Sequence, residues 1–257
     1  MSGASAVERP WREPGSSSGA AKSLWREPER GGDEPDWPAV TFHDVFKIFR
    51  SGPVETVALR GLELRVQSGE LVAVLGPSGC GKSTMLALLA ALDEPSAGEV
   101  RAGSRSLQRL DDAELAAYRA REVALVFQSD NLWPALSARE NIAVGLRLAG
   151  HGDASDAAQD ALATFGLADR GAHRAGALSG GEQQRVAIAA AFARKAPLVL
   201  ADEPTGELDA VNEQKVLEAL GRLREEHGST VLVVTHSGKV ARAADRVVEM
   251  RDGVVLT

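Results

Sequence analysis

The string Gly76-Pro-Ser-Gly-Cys-Gly-Lys-Ser-Thr84 restricts the fold more than any other part of the chain. It lies between the continuous apolar run Leu71-Val-Ala-Val-Leu75 and a helical pattern over Lys82 to Leu92. An apolar run without alternation suits a strand buried on both faces, as in a parallel sheet. The string fits Gly-x4-Gly-Lys-Ser/Thr in the strand–loop–helix setting which that pattern requires. Gly76, Gly79 and Gly81 let backbone N–H groups wrap a phosphate, and the helix N-terminus adds a favourable dipole. Pro77, Ser78, Cys80 and Thr84 complete the loop, Lys82 has the reach for β- and γ-phosphates, and the Ser83 hydroxyl suits Mg²⁺. The implication is nucleotide binding, without yet a class of phosphate-loop protein.

The rest of the pattern agrees with an α/β architecture. Strands are expected at Val40–Phe49, Leu62–Val66, Val123–Phe127, Leu198–Ala201 and Val231–Val234. Helical periodicity covers 113–119, 137–149, 157–165, 182–193 and 213–226. Strands alternating with helices imply a mainly parallel sheet covered on both sides. The alternating material before Gly69 and the helix-rich stretch 129–178 read as additions to it.

Composition excludes several alternatives. With 44% hydrophobic and 25% charged residues the 257-residue chain can bury a core. A net charge of -7 argues against a nucleic-acid binder relying on overall basicity. The one cysteine, Cys80, excludes an intrachain disulfide framework and a Cys-rich metal site. The longest apolar run, Val186–Ala193, is too short for a bilayer, and Met1–Glu8 lacks the features of a secretory signal. A cytoplasmic setting is therefore expected. Residues 1–37 are poor in aliphatics and are expected to be a disordered tail. They hold three of the four tryptophans, two in the repeated Trp-Arg-Glu-Pro at 11–14 and 25–28. A tolerated duplication and a pair of docking motifs both explain that repeat.

Two further strings carry chemistry. Leu198-Val-Leu-Ala-Asp202-Glu203 is an apolar strand ending in two acids. Asp202 suits Mg²⁺, directly or through water, and Glu203 is placed to activate water for attack on a γ-phosphate. Leu178-Ser-Gly-Gly-Glu-Gln-Gln-Arg185 opens a helix and offers N–H groups and a hydroxyl to an anion; read alone it is a helix cap.

With the phosphate loop upstream and Asp202-Glu203 downstream, Leu178–Arg185 resembles the signature of ABC-type ATPases. Phe127-Gln128 after a strand resembles that family's glutamine loop, Gly206-Glu-Leu-Asp209 its D-loop, and Thr235-His236 its switch histidine. The resemblance covers residues 39–257. It implies a RecA-like P-loop core with an antiparallel β subdomain and an α-helical subdomain, forming one nucleotide-binding domain over 38–257. ATP and Mg²⁺ are implied cofactors.

Carried over residue by residue, the resemblance implies that Gly76 to Thr84 hold the phosphates. Ser83, Gln128 and Asp202 would form the Mg²⁺ environment, Glu203 would be the general base, and His236 the γ-phosphate sensor. Phe49 matches the aromatic that stacks on adenine, with Phe46 as its rival and a core role as the alternative. Ser179, Gly180 and Gly181 would touch the γ-phosphate of a nucleotide held by a partner, and Asp209 would link the two sites. One copy of each motif then implies a homodimer. The finer resemblance is to the bacterial lipoprotein-release, macrolide-export and cell-division subgroup, on strings such as Ala91-Leu-Asp-Glu-Pro95 and Phe127-Gln-Ser-Asp-Asn-Leu132. Three positions depart from the family pattern: Ala175 where Pro is frequent, Ala190 where Arg is frequent, and Ser237 where an acid often follows the histidine.

The implied function is an ATP-hydrolysing subunit that powers a separate transmembrane permease, for transport or mechanotransmission, from the cytoplasmic face of the inner membrane. The alternative is a soluble machine of the same family acting on DNA or ribosomes. The spacing from Thr84 to Leu178 leaves no room for the long coiled coils of the DNA-repair relatives, and the chain carries one nucleotide domain where ribosome-acting relatives carry two. No nucleic-acid partner is expected.

Overall fold

A computed structural model describes residues 39–52, 54–152, 154–206 and 208–256. The expected disordered tail with its Trp-Arg-Glu-Pro repeats lies outside these residues. The chain begins with β1 (Val40–Ser51) and β2 (Val54–Val66), then β3 (Leu71–Leu75), the phosphate loop and α1 (Lys82–Leu89). β4 (Ala97–Ala102), β5 (Arg105–Ser106), α2 (Asp112–Arg121) and β6 (Val123–Val126) follow. Residues 129–178 carry α3 (Ala138–Leu148) and α4 (Ala154–Thr164). The remainder is α5 (Gly180–Ala193), β7 (Leu198–Asp202), α6 (Ala210–His227), β8 (Thr230–Thr235), α7 (Gly238–Ala243), β9 (Arg246–Arg251) and β10 (Val254–Leu256).

Two sheets result. The larger runs β10-β9-β3-β8-β7-β6 and is parallel except for the β10–β9 pair. The smaller, β2-β1-β4-β5, is antiparallel. Alternation along the central strands explains their apolar runs. Leu71, Ala73, Val199, Ala201, Val231 and Val233 face one core, packed by α3 to α6. Val72, Val74, Leu198, Leu200, Leu232 and Val234 face the other, shared with α1, α2 and the smaller sheet. A strand with both faces covered has no use for polar residues, so its sequence loses the period of two.

The structure extends and corrects the sequence expectations. α1 stops at Leu89, because Ala91 adopts φ 53° and turns the chain out of the helix. β2 begins at Val54, eight residues before the expected Leu62, as half of a hairpin with β1. β4, β5, α7, β9 and β10 were not expected. The β9–β10 pair backs the phosphate loop: Gly253 N–H donates to Cys80 O at 3.0 Å. A methyl group at Gly76 would stand 2.2 Å from Met250 O, so that approach admits only glycine. No helix among the described residues is long and apolar enough to cross a membrane.

Candidate functional site: a phosphate cleft at the strand ends

The phosphate loop leaves β3 and enters α1 through Gly81, at φ 104° with no side-chain cap on the helix. The first-turn N–H groups are thus left for a ligand. A cleft of about 740 Å³ opens there, lined by Ser78, Gly79, Gly81, Lys82, Ser83 and Thr84 together with Thr56, Val57 and Ala58 of β2, Phe127 to Asp130, Asp202 and Glu203. Lys82 is 8% exposed; its Nζ donates to Gly76 O at 2.7 Å and to Pro77 O at 3.1 Å. Gly76, Pro77 and Cys80 do not line the cleft. Cys80 is buried, its N–H donating to Pro77 O, so in this structure its thiol belongs to the core beneath the loop rather than to the phosphate surface.

Asp202 ends β7 and reaches the cleft; Glu203 follows at φ 46°, a region costly for a residue with a side chain. Its backbone is held by N–H donation to Val234 O at 2.9 Å. Its Oε2 accepts from Thr235 Oγ1 at 3.1 Å and from His236 N–H at 3.3 Å, and lies 3.0 Å from His236 Nδ1. Glu203 also lines a neighbouring hollow of about 270 Å³ with Thr205, Gly206, Leu208 and His236; His236 does not line the cleft itself.

Gln128 lies just past β6, and its side-chain amide stands beside Gly206. Its backbone is clasped from α5: Gln184 Nε2 donates to Phe127 O and Gln128 O, both at 2.7 Å. Asn131 Nδ2 donates to Gln184 Oε1 at 2.8 Å, while Asn131 Oδ1 accepts from Phe127 N–H at 2.7 Å. Gln184 is 3% exposed, so the clasp satisfies polar groups that water cannot reach. Both residues stand in strings that sequence reading quotes, but no local pattern pairs side chains 53 positions apart.

Ser179, Gly180, Gly181 and Asp209 lie outside the cleft of their own chain. Ser179 caps α5: its hydroxyl accepts from Glu182 N–H at 3.3 Å and donates to Glu182 Oε2 at 3.0 Å. That hydroxyl, expected to be offered to an anion, is already engaged in a capping box. Asp209 caps α6, accepting from Val211 N–H, Asn212 N–H and Asn212 Nδ2. A methyl group at Gly181 would meet the Asn212 side chain at 2.6 Å, so glycine there lets α5 approach α6. Phe49 is 44% exposed on β1, with Lys47 Nζ 5.0 Å from its ring, and pairs in register with cleft-lining Thr56. Phe46 is half-buried against Gly61.

Glu182 is the most perturbed acid of this region. The Arg170 guanidinium, and then the Ser179 N–H, hold its carboxyl down from 4.5 to about 2. A depressed folded value stabilises the fold above pH 4.5 and loses that contribution as pH falls towards 2. Glu182→Gln is expected to cost about 1–2 kcal/mol at neutral pH in urea unfolding, from the weakened cap and the lost ion pair. The gap to wild type should close between pH 4.5 and about 2; a gap constant with pH would contradict the account.

A glycine-lined loop at an uncapped helix N-terminus after β3, sharing a cleft with two acids at the end of β7, the parallel strand on the far side of β8, defines a P-loop nucleotide-binding protein. The sequence pattern described as "ABC transporter" matches residues 59–206, more than half of the chain, and the chain belongs to that family. It is 43% identical over 215 residues to the lipoprotein-releasing system ATP-binding protein LolD of Geobacter metallireducens, covering 83% of this chain and 96% of that one. It is 46% identical over 210 residues to the macrolide export ATP-binding/permease protein MacB of Rhodopseudomonas palustris, covering 81% of this chain and 32% of that one. The chain thus spans about a third of the length of that MacB. Among solved structures it resembles a dimeric bacterial ABC transporter cassette (TM-score 0.79, 40% identity, 85% of this chain and 97% of that one). A dimeric cassette in a post-hydrolysis state bound to ADP and Pi matches at TM-score 0.79 and 39% identity, with the same coverage.

Proposed function

We propose that the chain is the ATP-hydrolysing subunit of a transport or mechanotransmission complex. It works as a head-to-tail pair with a second copy and drives a separate membrane permease from the cytoplasmic face of the inner membrane. The observation that carries this reading is the incomplete cleft. The phosphate loop, Gln128, Asp202 and Glu203 line one cavity, whereas Ser179, Gly180 and Gly181 of the same chain stand outside it. A second copy turned head to tail would bring its own Ser179–Gly181 against the open side of the nucleotide.

Ser83, Gln128 and Asp202 line one cleft, and their hydroxyl, amide and carboxylate oxygens form a hard donor set that would suit Mg²⁺. The ion, when bound, neutralises charge on the β- and γ-phosphates. Lys82 supplies the fixed positive charge, Glu203 accepts the proton of the attacking water, and His236, in the hollow beside the cleft, is the candidate γ-phosphate sensor. Phe49 is the adenine-stacking candidate on the β1–β2 hairpin.

The loop after Gln128 supports a permease contact. Trp133 is 55% exposed and Leu148 69% exposed. Trp133, Leu132 and Asn131 line a groove of about 350 Å³ between that loop, α3 and α5. Exposed aromatic anchors beside a groove are favourable docking features. Purified from membranes, the chain is expected to bring down a multi-span protein identifiable by mass spectrometry. Recovery with ribosomes or DNA from the soluble fraction alone would overturn the reading.

A further inference from the structure

Glu203 is held by a chain of hydrogen bonds through two hydroxyls, one on buried Thr235 and one on half-buried Ser237, that the motifs do not announce. Thr235, the last residue of β8, is 1% exposed. Its hydroxyl accepts from Ser237 N–H at 3.0 Å and donates to Glu203 Oε2 at 3.1 Å. The Ser237 hydroxyl accepts from Lys239 N–H at 3.3 Å and donates to Glu213 Oε1 at 2.8 Å. Glu213 Oε2 takes Lys239 Nζ at 2.6 Å, and the Glu213 N–H donates to Asp209 O at 2.8 Å in the first turn of α6.

The proton positions in this relay follow from its ends. A hydroxyl has one proton. Thr235 receives an N–H on one side and faces a carboxylate on the other, so its proton points at Glu203. Ser237 likewise points at Glu213. Among the described residues every hydrogen bond to the Glu203 carboxylate goes to Oε2, which leaves Oε1 as the acceptor for a water proton. We infer that Thr235 is a positioning residue for Glu203, fastened through Ser237 and Glu213 to the first turn of α6.

This rests on the reading of Glu203 as the base. It also accounts for one departure of the sequence. Ser237 stands where the family often has an acid, and a carboxylate is nevertheless present there, contributed by α6. The helix that Asp209 caps is thereby tied to the carboxylate that would take the proton.

The test is steady-state ATP hydrolysis and equilibrium ATP binding by the full chain carrying Thr235→Val, Thr235→Ser, Ser237→Ala or Glu203→Gln. Thr235→Val should lower kcat by about tenfold or more, with ATP affinity within about twofold of wild type. Thr235→Ser, which restores the hydroxyl, should recover at least about a third of the wild-type kcat. Ser237→Ala should lower kcat by about threefold at unchanged affinity. Wild-type kcat in Thr235→Val alongside an inactive Glu203→Gln overturns the inference. Wild-type kcat in Glu203→Gln overturns the reading of the base instead. If Thr235→Val does not fold, Ser237→Ala decides, and unchanged kcat in that variant overturns the inference.

Discussion

Glu203→Gln should leave ATP bound and all but stop its hydrolysis. The exchange keeps size and shape, and the glutamine carbonyl can still accept from the Thr235 hydroxyl and the His236 N–H, now 3.1 and 3.3 Å from Oε2. The loop at φ 46° has no reason to relax, since the Glu203 N–H to Val234 O bond does not involve the side chain. What disappears is basicity: an amide does not take a proton from water at neutral pH. General-base catalysis is worth about 10²–10⁴-fold, so kcat should fall by that factor while ATP affinity stays within about threefold. With hydrolysis blocked, the ATP-bound pair has no route to reopen and should accumulate as a dimer on gel filtration. A monomer in saturating ATP would contradict the head-to-tail mechanism, and wild-type turnover would contradict the role of Glu203.

The legible part of the fold is the part with two covered faces. β3, β7 and β8 are continuous apolar runs because each residue meets one of two cores, and such runs stand out in a sequence. β9 is equally part of the parallel sheet but reads Arg-Val-Val-Glu-Met-Arg. Only Val248 and Met250 are buried in it, while Val247 and Glu249 face solvent. β4, Ala-Gly-Glu-Val-Arg-Ala, holds one large apolar residue and takes its strand geometry from pairing with β1. A strand that exists because a neighbour offers hydrogen bonds leaves little trace in its own residues.

The site divides in a similar way. The expected phosphate loop is contiguous in sequence, because a loop that wraps an anion must be built from successive backbone groups; Gly76 to Thr84 is legible for that reason, although Gly76, Pro77 and Cys80 lie off the cleft. The residues that hold the candidate catalytic groups in place are scattered. Gln184 fixes the Gln128 backbone from 56 positions away, and Thr235 fixes Glu203 from 32. Nothing in local spacing foretells such pairs, because the pairing is created by strand order. β7 and β8 are neighbours in the sheet, so the residue after one faces the end of the other. The signature serine shows the reverse case, where the residue is legible and its partner is not. Ser179 is plain in the sequence, yet in the single chain it caps its own helix, and the nucleotide contact implied for it needs a second molecule.

Lys82→Ala should remove ATP binding without removing the fold. In this structure the ammonium is nearly buried, rests on the carbonyls of Gly76 and Pro77, and has no ion-pair partner among the described residues. Its positive charge is therefore not cancelled by the protein and remains available to a phosphate. A bound nucleotide would replace contacts with two neutral carbonyl oxygens by contacts with anionic phosphate oxygens, which add the attraction between opposite charges. Losing them should cost about 2–4 kcal/mol of binding, or about 30- to 1,000-fold in Kd. The alternative explanation for weak binding, a damaged loop, is separable by melting. Gly81 O still accepts from Met85 N–H at 2.9 Å, and Gly253 N–H still donates to Cys80 O, so the loop keeps its backbone anchors in the variant. The nucleotide-free melting temperature should thus lie within about 4 °C of wild type, while the rise that ATP produces in wild type should be absent. An ATP-dependent rise equal to wild type would mean that the phosphates sit elsewhere.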